Sequence, residues 1–72
     1  MSEALLMEIK LDEQTLLLPV GTTLAQLLER LQQAPASLAT ALNGQFIARE
    51  ARATTRLVHA DQVLLFKPIV GG

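Results

Sequence analysis

Residues Leu5 to Leu11 read Leu-Leu-Met-Glu-Ile-Lys-Leu, with Met7, Ile9 and Leu11 on one parity and Glu8 and Lys10 on the other. Alternation at period two marks a half-buried strand. Asp12-Glu13-Gln14 follows as a polar turn, and Thr15 to Pro19 returns as a second apolar strand, which makes a hairpin. Pro19 has no amide hydrogen, so it ends that strand or lies on a sheet edge. After Val20-Gly21-Thr22-Thr23 the period changes: Leu24, Leu27, Leu28 and Leu31 recur at i, i+3, i+4 and i+7, one helical stripe. Thr23 and Gln26 have the spacing of a capping box, and Pro35 disfavours helical geometry at the residue before it. The helix is therefore predicted from Thr23 to near Gln33, a rod of about 16 Å. The stripe has no heptad continuation, so it reads as core packing.

Ser37 to Leu42 is apolar with some alternation, and Gln45-Phe46-Ile47-Ala48 follows Asn43-Gly44. Asn-Gly is the strongest short hairpin signal, because both central residues of a type I′ turn need positive φ. Arg49 to Thr55 is polar and alanine-rich, a loop or a short helical turn. Arg56-Leu57-Val58 adds a brief extended piece, His59-Ala60-Asp61-Gln62 a turn, and Val63 to Phe66 the last strand. The unbroken apolarity of that last run predicts a central strand, covered on both faces and parallel to the first. A hairpin, a crossover helix and further strands give an α+β layer, one mixed sheet of about five strands with one helix packed across it. That order is the β-grasp, expected here as a single domain over residues 1–72 with a flexible tail, 68–72.

Composition narrows the function. Half of the 72 residues are hydrophobic and the only aromatics are Phe46 and Phe66, so aliphatic side chains must fill the core. A chain this short buries only about 60% of its unfolded surface, which makes that apolar content necessary. There is no cysteine, which removes a disulfide scaffold, a thiolate metal site and a cysteine-based sulfur relay on this chain. No metal site and no bound cofactor are expected. The net charge is −1, and the six basic residues are dispersed, whereas nucleic-acid binding needs a concentrated basic face. No apolar run approaches membrane-spanning length and no signal-peptide pattern opens the chain, so a cytoplasmic location is expected.

The remaining chemistry is at the end, Pro68-Ile69-Val70-Gly71-Gly72. Two of the four glycines occupy the last two positions. Without Cβ, glycine can lie extended in a channel too narrow for other residues and leaves the terminal carbonyl carbon unshielded. A terminal α-carboxylate, with a pKa of about 3.5, is ionised at neutral pH and can attack a nucleotide phosphate. Gly72 is thus the expected site of modification, with Pro68, Ile69, Val70 and Gly71 as the segment threaded into a partner.

In these features the chain resembles the ubiquitin-like sulfur carriers of bacteria, and most closely the ThiS family of thiamin thiazole biosynthesis. The likeness rests on Gly21-Thr22-Thr23-Leu24 opening a helix with Leu27-Leu28 and Leu31, on Ala41-Leu42-Asn43 with Arg49-Glu50 after the next strand, on Asp61, and on Ile69-Val70-Gly71-Gly72. The family often has proline where this chain has Ala48, and an Asp-Gly-Asp turn where it has His59-Ala60-Asp61, which leaves the sign of φ at Ala60 open. The resemblance implies a carrier and not an enzyme. An E1-like adenylyltransferase of the ThiF type would use ATP-Mg to convert the Gly72 carboxylate to an acyl adenylate. Sulfur from a cysteine desulfurase persulfide would displace AMP, and a thiazole synthase of the ThiG type would consume the resulting thiocarboxylate. Alternatives are a carrier for molybdopterin synthase or tRNA thiolation, and a β-grasp interaction module that is never activated.

Two orientations of the last strand stand open. Alternation alone turns Leu64 and Phe66 toward the helix, because their parity carries no charge up to Val70. By analogy with ubiquitin-like folds Val63 and Leu65 face it instead, leaving Leu64 and Phe66 as an apolar docking patch. The second is adopted here, with Arg49 either a partner contact or a solvated strand end. A hydrolytic site from Ser37, His59 and Asp61 lacks a nucleophile elbow and is set aside.

Overall fold

A computed structural model describes residues 5–32 and 38–67. Its elements are β1 (Leu6–Leu11), β2 (Gln14–Pro19), α1 (Leu24–Arg30), β3 (Ala39–Leu42), β4 (Gln45–Ile47), a 3₁₀ helix (Arg49–Thr54) and β5 (Gln62–Phe66). The five strands form one sheet in the order β2-β1-β5-β3-β4. The last strand is central, parallel to β1 and antiparallel to β3. This is the β-grasp arrangement the pattern of elements predicts.

Each local signal has a structural counterpart. Met7, Ile9 and Leu11 are buried while Leu6, Glu8 and Lys10 are exposed, as alternation requires. The capping box forms in both directions: the Thr23 N–H donates to Gln26 Oε1 at 2.9 Å, and the Gln26 N–H donates to Thr23 Oγ1 at 3.2 Å. Asn43 and Gly44 have φ of 51° and 87°, the positive pair that a two-residue hairpin turn needs. Leu24, Leu27 and Leu28 are fully buried, and the first two belong to the core cluster with Met7, Ile9, Leu11, Leu18, Leu57 and Val63.

The helix is shorter than its sequence pattern predicts, seven residues in place of eleven. Leu31 caps it, the Gln32 N–H returns to the Glu29 carbonyl at 3.0 Å, and Gln32 takes φ 58°. A left-handed residue at this position closes a helix, so it ends before Pro35 could act. Pro35 and Gln33 lie outside the described residues, as do Ser37 and the expected start of β3. The second correction concerns β5. Its unbroken apolarity does not arise from cover on both faces: Val63 is fully buried and Leu65 half-buried, whereas Leu64 is 37% and Phe66 47% exposed. Alternation alone therefore chose the wrong side, and the ubiquitin-like orientation is the one present.

The far end of β5 is the free one. Beyond the Leu11–Val63 pair β1 gives way to its turn, and Asp12 takes over, its N–H donating to the Val63 carbonyl at 2.8 Å and its Oδ1 accepting the Leu65 N–H at 3.4 Å. Among the described residues Phe66 keeps only β3 as a strand neighbour, through Ala39. The chain leaves the sheet toward Pro68 from this end.

Candidate functional site

Register assembles a patch from three strands. Opposed residues in neighbouring strands share a face, so the pairs Ala41–Phe46 and Ala41–Leu64 place Phe46, Ala41 and Leu64 in one row across the outer face. Ala39 and Phe66 form the next row toward the chain exit. Phe46 is 68% exposed and, with Phe66 and Leu64, flanks a floor made of the two alanines. Both aromatic residues of the chain thus stand on one surface, which reaches the end of β5. Large apolar groups clustered on an open face mark an interaction surface.

Phe46 is the member that sequence reasoning missed. Its signal was available in part, since the two-residue Asn43-Gly44 turn dictates that Ala41 and Phe46 oppose each other. Which face that pair occupies depends on the register with β5, a long-range contact that the turn does not encode.

Arg49 is exposed and opens the 3₁₀ helix just after β4, at the end of the sheet where Thr40 opposes both Ile47 and Leu65. It lies at the chain-exit end, where a partner contact is open to it. Arg52, not singled out from sequence, is buried and donates from Nε to Thr40 Oγ1 at 3.1 Å and from a terminal nitrogen to the Leu38 carbonyl at 2.6 Å. Thr40 passes the link on to the Ile47 carbonyl at 2.9 Å. Burial pushes the Arg52 guanidinium below its ordinary pKa, Arg49 adds to that and Glu50 opposes it; it still keeps its charge at neutral pH. The relay ties the helix, β3 and β4 together under the exit.

Asn43 and Asp61 do something different. Asn43 Nδ2 donates to Asp61 Oδ1 at 2.9 Å, Asn43 Oδ1 accepts the Gln62 N–H at 2.9 Å, and Asp61 Oδ2 accepts the Val58 N–H at 2.8 Å. This clamp fastens the hairpin turn to the start of β5, at the end away from the exit. It also turns the Asp61 carboxylate inward, while His59 Nδ1 accepts the Glu8 N–H at 3.1 Å. No relay joins the two, and Ser37 lies outside the described residues. Among the described residues no group of three His, Cys, Asp or Glu side chains could hold a metal, and no helix is long and apolar enough to cross a membrane. Pro68, Ile69, Val70, Gly71 and Gly72 lie outside the described residues.

The model of the ThiS family matches residues 4–72. The sulfur carrier protein ThiS of Escherichia coli strain K12 is 39% identical over 66 residues, which is 92% of this chain and 100% of that protein. The crystal structure of the thiamine biosynthesis protein ThiS from Geobacter metallireducens superposes with a TM-score of 0.81 at 25% identity, covering 92% of this chain and 100% of that one.

Proposed function

This chain belongs to the ThiS family, and we propose that it carries sulfur as a thiocarboxylate on Gly72 for assembly of the thiamin thiazole ring. The observation that carries the reading is the apolar patch of Phe46, Leu64 and Phe66 at the end of β5 from which the chain runs to Gly71-Gly72. Five residues from Pro68 to Gly72 span at most about 17 Å. A partner that grips the patch can therefore draw the terminus into a buried active site while the globule stays outside.

The chemistry follows from what a carboxylate lacks. It is a poor electrophile until one oxygen becomes part of a phosphate leaving group, so the activating partner is an E1-like adenylyltransferase of the ThiF type. One Gly72 oxygen attacks the α-phosphorus of ATP-Mg and pyrophosphate leaves. A persulfide supplied by a cysteine desulfurase then attacks the acyl carbon and AMP leaves; a thiol cleaves the acyl persulfide, which leaves sulfur where oxygen was. The chain's 72 residues include no cysteine, so persulfide and thiol both belong to partners. A thiazole synthase of the ThiG type takes up the thiocarboxylate, a better nucleophile than the carboxylate. The carrier binds no cofactor in this scheme and contributes a terminus, a tether and a docking face. Removing Gly72 tests it: adenylate formation should be lost while the circular dichroism spectrum and unfolding midpoint stay as in the intact chain. Undiminished AMP transfer to the shortened chain would refute the assignment.

A further inference from the structure

The opposite border of the sheet holds a surface that the carrier chemistry does not use. β2 has β1 on one side and no strand on the other among the described residues. The Val20 N–H donates to the Leu5 carbonyl at 2.8 Å, and successive residues of a strand direct their main-chain groups to alternate sides. Leu16 and Leu18 therefore bond toward β1, and Thr15 and Leu17 present their N–H and C=O groups outward. Edge strands are commonly blunted by charge or brevity. β4 at the other border has three residues, but β2 has six, none of them charged, and Leu17 is 61% exposed.

We propose that β2 pairs antiparallel with β2 of a second copy of this chain, about a two-fold axis at Leu16. Opposed residues share a face, so an axis normal to a continuous sheet must pass through a residue. An axis at Leu17 would oppose Thr15 to Pro19, which has no N–H and whose carbonyl already accepts the Thr22 N–H at 3.1 Å and the Thr22 hydroxyl at 2.7 Å. An axis at Leu16 opposes Thr15 to the second copy's Leu17, twice, and all four outward N–H groups find carbonyls. The half-buried Leu16 then meets its own copy on the inner face, and the exposed Leu17 side chains become diagonal neighbours on the outer one. Glu13 falls opposite the second copy's Pro19, so no like charges meet. β1 stands between β2 and β5, and both docking patches stay clear of the junction.

The test is analytical ultracentrifugation of the full chain over a concentration series. The pairing requires a reversible monomer–dimer equilibrium whose association constant falls at least about tenfold in Leu17→Lys, the charge entering twice by symmetry. Thr15→Pro should weaken it too, because that N–H takes no part in the ladder with β1. Circular dichroism establishes that each variant is folded, and either one suffices if the other is not. Phe66→Asp should leave the dimer intact. A chain that stays monomeric at every concentration overturns the proposal, and so does a dimer that Phe66→Asp abolishes and Leu17→Lys spares.

Discussion

Ala60 holds a conformation that its identity disfavours. It takes φ 75°, where a Cβ crowds the following carbonyl at a cost of about 1–2 kcal/mol. The turn holds it there: its N–H donates to the Glu8 carbonyl at 2.7 Å, and the Asp61 N–H on its far side donates to the Val58 carbonyl at 3.1 Å. Ala60→Gly should therefore stabilise the protein by about 1 kcal/mol, read as a higher denaturant midpoint at unchanged m-value. Asp61→Ala should act in the opposite direction. It strands the Val58 N–H and the Asn43 amide, at a cost of about 2 kcal/mol, and should lower the thermal midpoint without changing the rate of activation, since the clamp is at the end of the sheet away from the exit. An equal loss in activation at temperatures where the variant is fully folded would show that the clamp reaches the tail.

At the scale of elements, much of the architecture was legible because it is locally encoded. The Met7, Ile9, Leu11 alternation, the Thr23–Gln26 box and the Asn43-Gly44 turn each specify their element from within a few residues. What escaped depends on distant partners. The face of β5 could not be read from Val63-Leu64-Leu65-Phe66, since both parities are apolar and only the helix on one side distinguishes them. The helix end at Gln32 has no glycine or asparagine to announce it. Phe46 joined the patch only through a register that spans three strands. Those three residues now make a common prediction: Phe46→Ala, Leu64→Asp and Phe66→Asp should each raise the KM for activation, by roughly thirtyfold where the residue is a centre of the contact, about 2 kcal/mol. Their unfolding midpoints should stay close to the parent, because the side chains are on the open face. A loss confined to kcat would place the patch outside the docking contact.

For the whole molecule, the proposed scheme has one border of the sheet pairing copies, the central strand leading to the reactive end, and the outer face of β5, β3 and β4 receiving the activating partner. The core of Ile9, Leu24, Leu27 and Val63 underlies the sheet, and none of the described side chains forms a catalytic relay. Everything then turns on whether Gly72 takes up sulfur. Intact-mass spectrometry decides it most directly, on the purified chain incubated with an E1-like adenylyltransferase, ATP-Mg, cysteine and a cysteine desulfurase. Sulfur loading of Gly72 should give the mass increase of one oxygen replaced by one sulfur, absent when ATP is withheld and absent in the chain lacking Gly72. An unchanged mass, with an adenylyltransferase shown to be active on another ThiS-family carrier, would contradict it.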